Sequence, residues 1–136
     1  MAYVSQELKK KLAPAIMSAC KRHGVKATLS VDNHSTLVLT IKSGNMDIIG
    51  NANEVAKARA AWRNERFYES KDYFNLNTYH YKDHFTGKVL EFFEVVIPLM
   101  NIGNYDKSDI QTDYFHCGWY IDVNVGRWNK PYEITV

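Results

Sequence analysis

Histidines and one cysteine are the side chains of this sequence best suited to metal binding or nucleophilic catalysis. His80 and His84 are four positions apart, so on a helix both would lie on one face and could hold a metal ion. His116 and Cys117 could add further ligands. No complete zinc motif accompanies them, because there is no second spaced pair of ligands and no glutamate directly after the first histidine. The sequence therefore predicts no metal and no cofactor, and names His80, His84 and His116 as the ligands if a metal is bound.

Other arrangements that could carry catalysis are weaker. Cys117 follows His116 directly, and neighbouring residues of a strand point to opposite faces, so the two do not form a nucleophile and base pair. Three aspartates share one polar segment without the spacing or central glycine of a calcium loop: Asp106, Asp109 and Asp113. The glycines are scattered, and no phosphate-binding loop is present. We therefore expect a protein that is not an enzyme.

A basic stripe followed by an aromatic segment is the most localised candidate for binding. Arg59, Arg63 and Arg66 recur at i, i+4 and i+7, and the next segment contains Tyr68, Tyr73, Tyr79 and Tyr81. Tyrosine and arginine dominate the energetics of protein interfaces. The same residues also suit single-stranded nucleic acid, whose bases stack on rings and whose phosphates meet guanidinium groups. A third interpretation is a solvated helix face beside an aromatic loop that packs on its own core.

Length and composition limit the class of protein. A chain of 136 residues with 46% hydrophobic residues fits one domain, residues 1–136, with a core of its own. Its net charge of +2 argues against a dedicated binder of duplex DNA. Two cysteines form no disulfide framework, the amino terminus turns charged where a signal peptide needs an apolar run, and no segment is apolar enough to span a membrane. We expect a cytoplasmic protein.

The elements that must position these residues are visible as periodic patterns. A helix is predicted over residues 5–23, with Ser5 as its N-cap, Pro14 inside it and Gly24 at its end. Residues 27–32 and 37–42 alternate between apolar and polar side chains, and the turn 32–35 joins them into a hairpin. The apolar face of the hairpin is expected to meet the first helix, and the face rich in Thr and Ser to meet water.

The second half of the chain is predicted from similar signals. Residues 43–51 are a turn followed by a short apolar patch, which could form a third strand that ends at Gly50. A helix follows over about 52–67; Asn51 or Asn53 caps it, and its apolar stripe is Val55, Ala58 and Trp62. Residues 68–85 are a loop with an extended piece at 76–81. A core helix runs from Thr86 to Met100. The final strand is 118–128, and its residues alternate, with Trp119, Ile121, Val123 and Val125 on one face and Tyr120, Asp122 and Asn124 on the other. Tyr114, Phe115 and Trp119 are expected to anchor this strand onto the core helix. The fold class is α+β, with an antiparallel sheet of three to five strands against about three helices, in the order αββ(β)ααβ.

Two stretches, VKATLSVDNHSTLVLTIKSG at 25–44 and NYDKSDIQTDYFHCGWYIDVNVGRWNKPYEI at 104–134, resemble small uncharacterised proteins of phages and plasmids. The first stretch, with its preceding helix, also resembles the α+β associated domains of large polyvalent mobile-element proteins. The resemblance implies a mobile-element setting, in which accessory proteins often block host defence by binding a host protein or nucleic acid.

The leading hypothesis is a non-enzymatic binding protein that inhibits a host defence system, of anti-CRISPR or anti-restriction type, by occluding the surface of a host protein. The arginine stripe and the tyrosine segment would make the contacts, together with the three aspartates, whose charge would mimic phosphate toward a basic partner. The alternatives are an accessory protein that binds single-stranded nucleic acid and a metal-dependent hydrolase at His80, His84, His116 and Asp113.

Overall fold

The computed structural model describes residues 3–66, 69, 72–76, 78, 81–102, 119–127 and 129–135. Its helices are α1 (Gln6–Arg22), α2 (Ile48–Trp62) and α3 (Gly87–Met100), with a 3₁₀ turn at Tyr81–Asp83. Its strands are β1 (Val25–Asp32), β2 (Thr36–Gly44), β3 (Phe74–Leu76), β4 (Tyr120–Val125) and β5 (Glu133–Ile134). Three helices and about five strands confirm the predicted α+β class.

The helix α1 forms where the capping and apolar signals of the sequence predicted a helix. The hydroxyl of Ser5 accepts a hydrogen bond from the backbone N–H of Leu8 at 3.0 Å, which satisfies one of the unpaired donors of the first turn. Pro14 lies inside the helix, and Gly24 follows its end with a φ of +71°. One face of α1 is buried through Leu12, Ile16, Ala19 and Cys20, which matches the apolar stripe of the sequence.

The hairpin of β1 and β2 is also confirmed. Asn33 and His34 both have positive φ, at 52° and 61°, as the tightest hairpin turns require, and the N–H of Ser35 donates to the carbonyl of Asp32. The apolar side chains of β2 that face the helices are fully buried: Leu37, Leu39 and Ile41. Thr28 and Ser30 of β1 point to the opposite face and are exposed, as expected, but Thr40 of β2 is buried there.

The sheet is mixed, whereas the sequence suggested an antiparallel one. Its order is β1-β2-β4-β3, and β4 pairs with β2 in parallel, Thr36 opposite Tyr120 and Ile41 opposite Val125. The short strand β5 continues the pairing along the same strand, Ser43 opposite Glu133. Parallel strands need a crossover connection, and here β2 and β4 come from opposite halves of the chain. Their pairing therefore leaves no local sequence signal.

The prediction for residues 43–67 is wrong in its boundaries. Residues 48–50 form the first turn of α2 and not a third strand, and Asp47 caps this helix in place of Asn51 or Asn53 by accepting a hydrogen bond from the N–H of Gly50 at 2.8 Å. A short apolar run such as Met46–Ile49 fits a strand and a buried helix start equally well. Here the two isoleucines enter the core as part of a helix.

The helix α3 is the central core helix, as predicted. It buries Val89, Phe92, Phe93, Val96, Ile97 and Met100. The ring of Phe93 lies 4.7 Å from that of Phe85 and 5.2 Å from that of Phe92. The helix α1 packs against α3 and β1, and the apolar side chains of both helices and of β2 belong to one core cluster. The helices therefore cover one face of the sheet.

Candidate functional site

The predicted arginine stripe lies at the end of α2 and is interrupted there. The helix ends at Trp62, Arg63 is its C-cap, and Asn64 has a positive φ of 54° that breaks the helical path. Arg66 therefore lies beyond the helix and not one turn further along the same face. The three guanidinium groups do not form the continuous row that the spacing i, i+4, i+7 predicted.

Of the three arginines, Arg59 has a hydrogen bond whose partner atom is known. Its side chain is half-buried, and it donates a hydrogen bond to the backbone carbonyl of Asp83, next to the start of α3. Its partner is a main-chain carbonyl, so the contact ties α2 to the 3₁₀ turn without neutralising the charge. Arg63 and Arg66 are exposed, and Arg66 also has an interaction partner.

Trp62 is the largest departure from the predicted apolar stripe of α2. Its side chain is 85% exposed, and Ala58 is exposed too, while Val55 is only half-buried. The buried positions of the helix are Ile48, Ile49 and Ala60. Two of these three buried positions lie in the segment predicted as a strand, and the residues chosen for the stripe do not form the side of the helix that meets the core. We call Trp62, Arg63 and Arg66 the α2 end surface.

The tyrosines of the predicted binding segment divide into different environments. Tyr73 is 49% exposed, whereas Tyr81 is only 8% exposed and belongs to the core cluster. The expectation that the ring of Tyr81 is available to a partner is therefore wrong. Tyr68 and Tyr79 lie outside the described residues. Of the extended piece predicted at 76–81, Leu76 is the last residue of β3 and Tyr81 the first of the 3₁₀ turn, and most of the residues between them lie outside the described part of the chain.

The acidic and metal-binding predictions fall mostly outside the described part of the chain. This holds for Asp106, Asp109, Asp113, His80 and His116, whereas His84 is described, is half-buried and has an interaction partner. Among the described residues, no group of three His, Cys, Asp or Glu side chains comes together in a way that could hold a metal ion. The metal-dependent alternative stays a prediction.

The face of the sheet opposite the helices carries polar side chains in register. Thr28 pairs with Thr40, Thr40 with Asn124, and Asn124 with Asn75, which forms one row across four strands. The Asn75 amide donates hydrogen bonds to the side chains of Asn124, at 2.8 Å, and Asp122. We call this surface the polar face. The alternation in β1, β2 and β4 predicted it, but only the pairing of β3 with β4 brings Asn75 into it.

Trp119, which directly precedes β4, is buried in the core. It is 7% exposed, and its indole N–H donates a hydrogen bond to the carbonyl of Met100 at 3.1 Å. That carbonyl is among the last ones of α3, which have no partner within the helix. Trp119 therefore fastens the start of β4 to the end of α3, as the sequence led us to expect.

Two titratable groups in the core have shifted pKa values. Burial raises the pKa of the Cys20 thiol to about 11, so this free cysteine is a poor nucleophile at neutral pH. Burial, with a smaller contribution from the charge of Asp47, raises the pKa of Tyr132 to about 12. The hydroxyl of Tyr132 donates to the carbonyl of Met46, so its proton is held in a structural contact.

Among the described residues, no helix combines the length and the apolar character needed to cross a membrane. Comparisons of this chain with models of protein families, with curated proteins and with solved structures gave no match. The function must therefore be argued from the surfaces described above.

Proposed function

We propose that this chain is a non-enzymatic binding protein that attaches to another protein through the α2 end surface. This surface lies at the end of α2, where the sequence predicted a binding site. Its centre is an exposed tryptophan next to an arginine, and not a row of arginines. It needs no catalytic group, and the partner is held by burial of the indole and by charge.

The exposure of Trp62 is the observation that carries this proposal. A tryptophan side chain buries about 150–250 Å² when it is covered, worth several kcal/mol at about 25 cal/mol per Å². With 85% of its surface exposed, Trp62 leaves most of this free energy unused within the chain. Tryptophan and arginine are the residue types most enriched at the centres of protein interfaces, and here Arg63 is adjacent.

The charges around Trp62 indicate the chemistry of the partner. Arg63 is exposed and follows Trp62 in the chain, and Glu65 and Arg66, also exposed, come directly after the end of the helix. A partner with an apolar pocket rimmed by carboxylates would cover the indole and pair with the guanidinium group of Arg63. A nucleic-acid backbone fits less well, because the acidic Glu65 belongs to the same short segment as Arg63. We therefore favour a protein partner at this surface.

The resemblance to phage and plasmid proteins makes host defence proteins the first class of partner to test. Occlusion of a surface of a nuclease or of its targeting complex requires only a stable complex, and a binding surface without catalytic groups is sufficient for that. This assignment rests on the resemblance alone, and the α2 end surface does not depend on it.

The test is to capture a partner from host lysate, purify it and measure its affinity by calorimetry. We expect Trp62→Ala and Arg63→Ala each to weaken binding by about tenfold or more, which corresponds to about 1.4 kcal/mol. Tyr3→Ala is the matched control, because Tyr3 is 61% exposed and lies beside the β1–β2 turn, where Val4 donates to the carbonyl of His34. A purified partner that binds Trp62→Ala as tightly as the wild type would contradict the proposal, as would the failure to capture any partner.

A further inference from the structure

A cavity of about 470 Å³ opens on the polar face at the end of β2. Its walls come from β1, from residues 40–43 of β2 and from the segment between β4 and β5. In this segment Arg127 and Lys130 exchange two backbone hydrogen bonds, of 2.9 and 3.1 Å, which close a tight turn. The turn stands beside the sheet because both β4 and β5 pair with β2, and the residues between them must leave the sheet.

Two buried hydroxyl groups line the cavity, and neither has a hydrogen-bond partner among the described residues. Thr40 is 2% exposed and Ser43 is 8% exposed. Neither side chain forms a hydrogen bond within the part of the chain that the structure describes. A buried hydroxyl without a partner costs free energy of about 1–3 kcal/mol, so its bonding is usually completed by ordered water, an ion or a bound molecule. The cavity therefore offers hydrogen bonds to a ligand that has polar atoms.

The charge of the cavity is positive. Of the described lining residues, Lys42, Arg127 and Lys130 are cationic, and only Glu133 is anionic. Within the described residues, none of the three cations has an ion pair or a side-chain hydrogen bond that would neutralise it. The cations lie on both walls of the cavity: Lys42 on β2, and Arg127 and Lys130 on the turn. A ligand between these walls gains most if it carries more than one negative charge.

We propose that this cavity binds the phosphate group of a nucleotide. A phosphate is a multiply charged acceptor, which suits arginine, lysine and hydroxyl donors together. The volume of about 470 Å³ lies in the range of sites for small organic ligands and exceeds what a bare phosphate fills. The polar face continues from the cavity through Asn124 and Asn75. The Asn75 amide nitrogen is already engaged with Asn124 and Asp122, so the Asn124 nitrogen and the Asn75 side-chain oxygen are the groups that can bond to a base or a sugar. The phosphate comes from a free nucleotide or from a single strand, which was one of the alternatives from the sequence.

This site is separate from the α2 end surface and does not rest on the proposed function. Its test is calorimetric titration of the full chain with inorganic phosphate, with AMP and dTMP, and with a ten-residue oligo-dT at low salt. We expect AMP or dTMP to bind more tightly than phosphate if the ligand is a free nucleotide. We expect oligo-dT to bind at least about tenfold more tightly than dTMP, with an affinity that falls steeply with salt, if the ligand is a strand. Absence of binding by all four probes would overturn the proposal.

Variants separate the cavity from a general basic surface. We expect Arg127→Ala to weaken binding by about tenfold or more, as for the loss of a charged hydrogen bond, whereas Lys10→Ala, an exposed lysine on α1, leaves binding unchanged. Thr40→Val removes the unpartnered hydroxyl at nearly constant shape. It should weaken binding while the Tm stays equal or rises, which a hydroxyl with a purely structural role would not allow. Equal affinities of wild type, Arg127→Ala and Thr40→Val would overturn the proposal, and Trp62→Ala should leave this affinity unchanged.

Discussion

Asn51 and Thr86 hold each other through two hydrogen bonds, although 35 positions separate them in the chain. The Asn51 amide donates to the Thr86 hydroxyl at 2.9 Å, and the N–H of Thr86 donates to the Asn51 side-chain oxygen at 2.9 Å. Thr86 is the N-cap residue of α3, but its side chain makes no capping bond. The contact therefore joins the first turn of α2 to the start of the core helix.

Graded substitution of Asn51 should show the value of this contact. Asn51→Ala removes both bonds and should lower the free energy of unfolding by about 1–2 kcal/mol, since each net hydrogen bond contributes about 1 kcal/mol. Asn51→Asp keeps the acceptor for the Thr86 N–H and loses the donor, so a smaller loss is expected. Urea unfolding of both variants measures this. A double-mutant cycle with Thr86→Ala should give a positive coupling energy, and strict additivity would contradict the contact.

Alanine substitutions at two glycines with positive φ distinguish the cost of a steric clash from the cost of backbone strain. A Cβ at Gly126, with φ +74°, would lie 2.6 Å from the carbonyl oxygen of Asp72 and 2.7 Å from the backbone nitrogen of Tyr132. At Gly87, with φ +59°, a Cβ would meet nothing within 4 Å. Gly87→Ala should therefore cost only the strain of the left-handed conformation, about 1–2 kcal/mol. Gly126→Ala should cost clearly more, because main-chain atoms must move.

Chemical denaturation of these two variants measures the difference. Because Gly126 lines the cavity at the end of β2, Gly126→Ala should also alter the proposed binding of phosphate there. Equal losses of stability for the two substitutions would mean that the backbone around Gly126 is looser than the distances indicate.

Stability should fall at alkaline pH because of Tyr132 and Cys20. The pKa of Tyr132 rises from 10.0 to about 12 on folding, and that of Cys20 from 9.0 to about 11, both through burial. Between about pH 9 and 12 the unfolded chain has lost these protons while the folded chain keeps them, so deprotonation favours unfolding. The stabilisation is complete below pH 9 and is lost as pH rises through the folded pKa values.

The measurement is the Tm at pH 8, 9, 10 and 11. Tyr132→Phe should be less stable than the wild type at pH 8, because it loses the bond to Met46, but its Tm should decline less steeply above pH 10. Cys20→Ala should flatten the decline between pH 9 and 11. Parallel Tm curves for the wild type and both variants would show that other groups control alkaline unfolding.

Trp119→Phe should loosen the junction of α3 and β4. The substitution removes the hydrogen bond to the Met100 carbonyl and part of a buried ring, with an expected loss of about 1–3 kcal/mol. Trp62→Phe is the matched control at an exposed site, where a change within about 0.5 kcal/mol is expected. Thermal unfolding of the two variants compares them directly, and similar losses would contradict the assignment of Trp119 to the core.

Local signals in the sequence were enough for the elements that depend on neighbouring residues. Ser5 and Gly24 bound the first helix, Asn33 and His34 make the hairpin turn, and the apolar positions of α3 identify the core helix, because capping, turn formation and helical periodicity act over a few residues. The alternation in β4 likewise predicted which of its side chains turn inward. These features follow from the sequence by itself.

Only the tertiary structure decided what depends on residues far apart in the chain. The parallel pairing of β2 with β4, the burial of Tyr81 and the cavity beneath Arg127 all join distant segments, and no local pattern encodes such contacts. The exposure of Trp62 belongs to the same group, because it depends on which side of α2 meets the core, and Met46–Ile49 suits a strand or a helix until the core is assembled. Burial is a property of the packed chain, whereas periodicity is a property of the sequence.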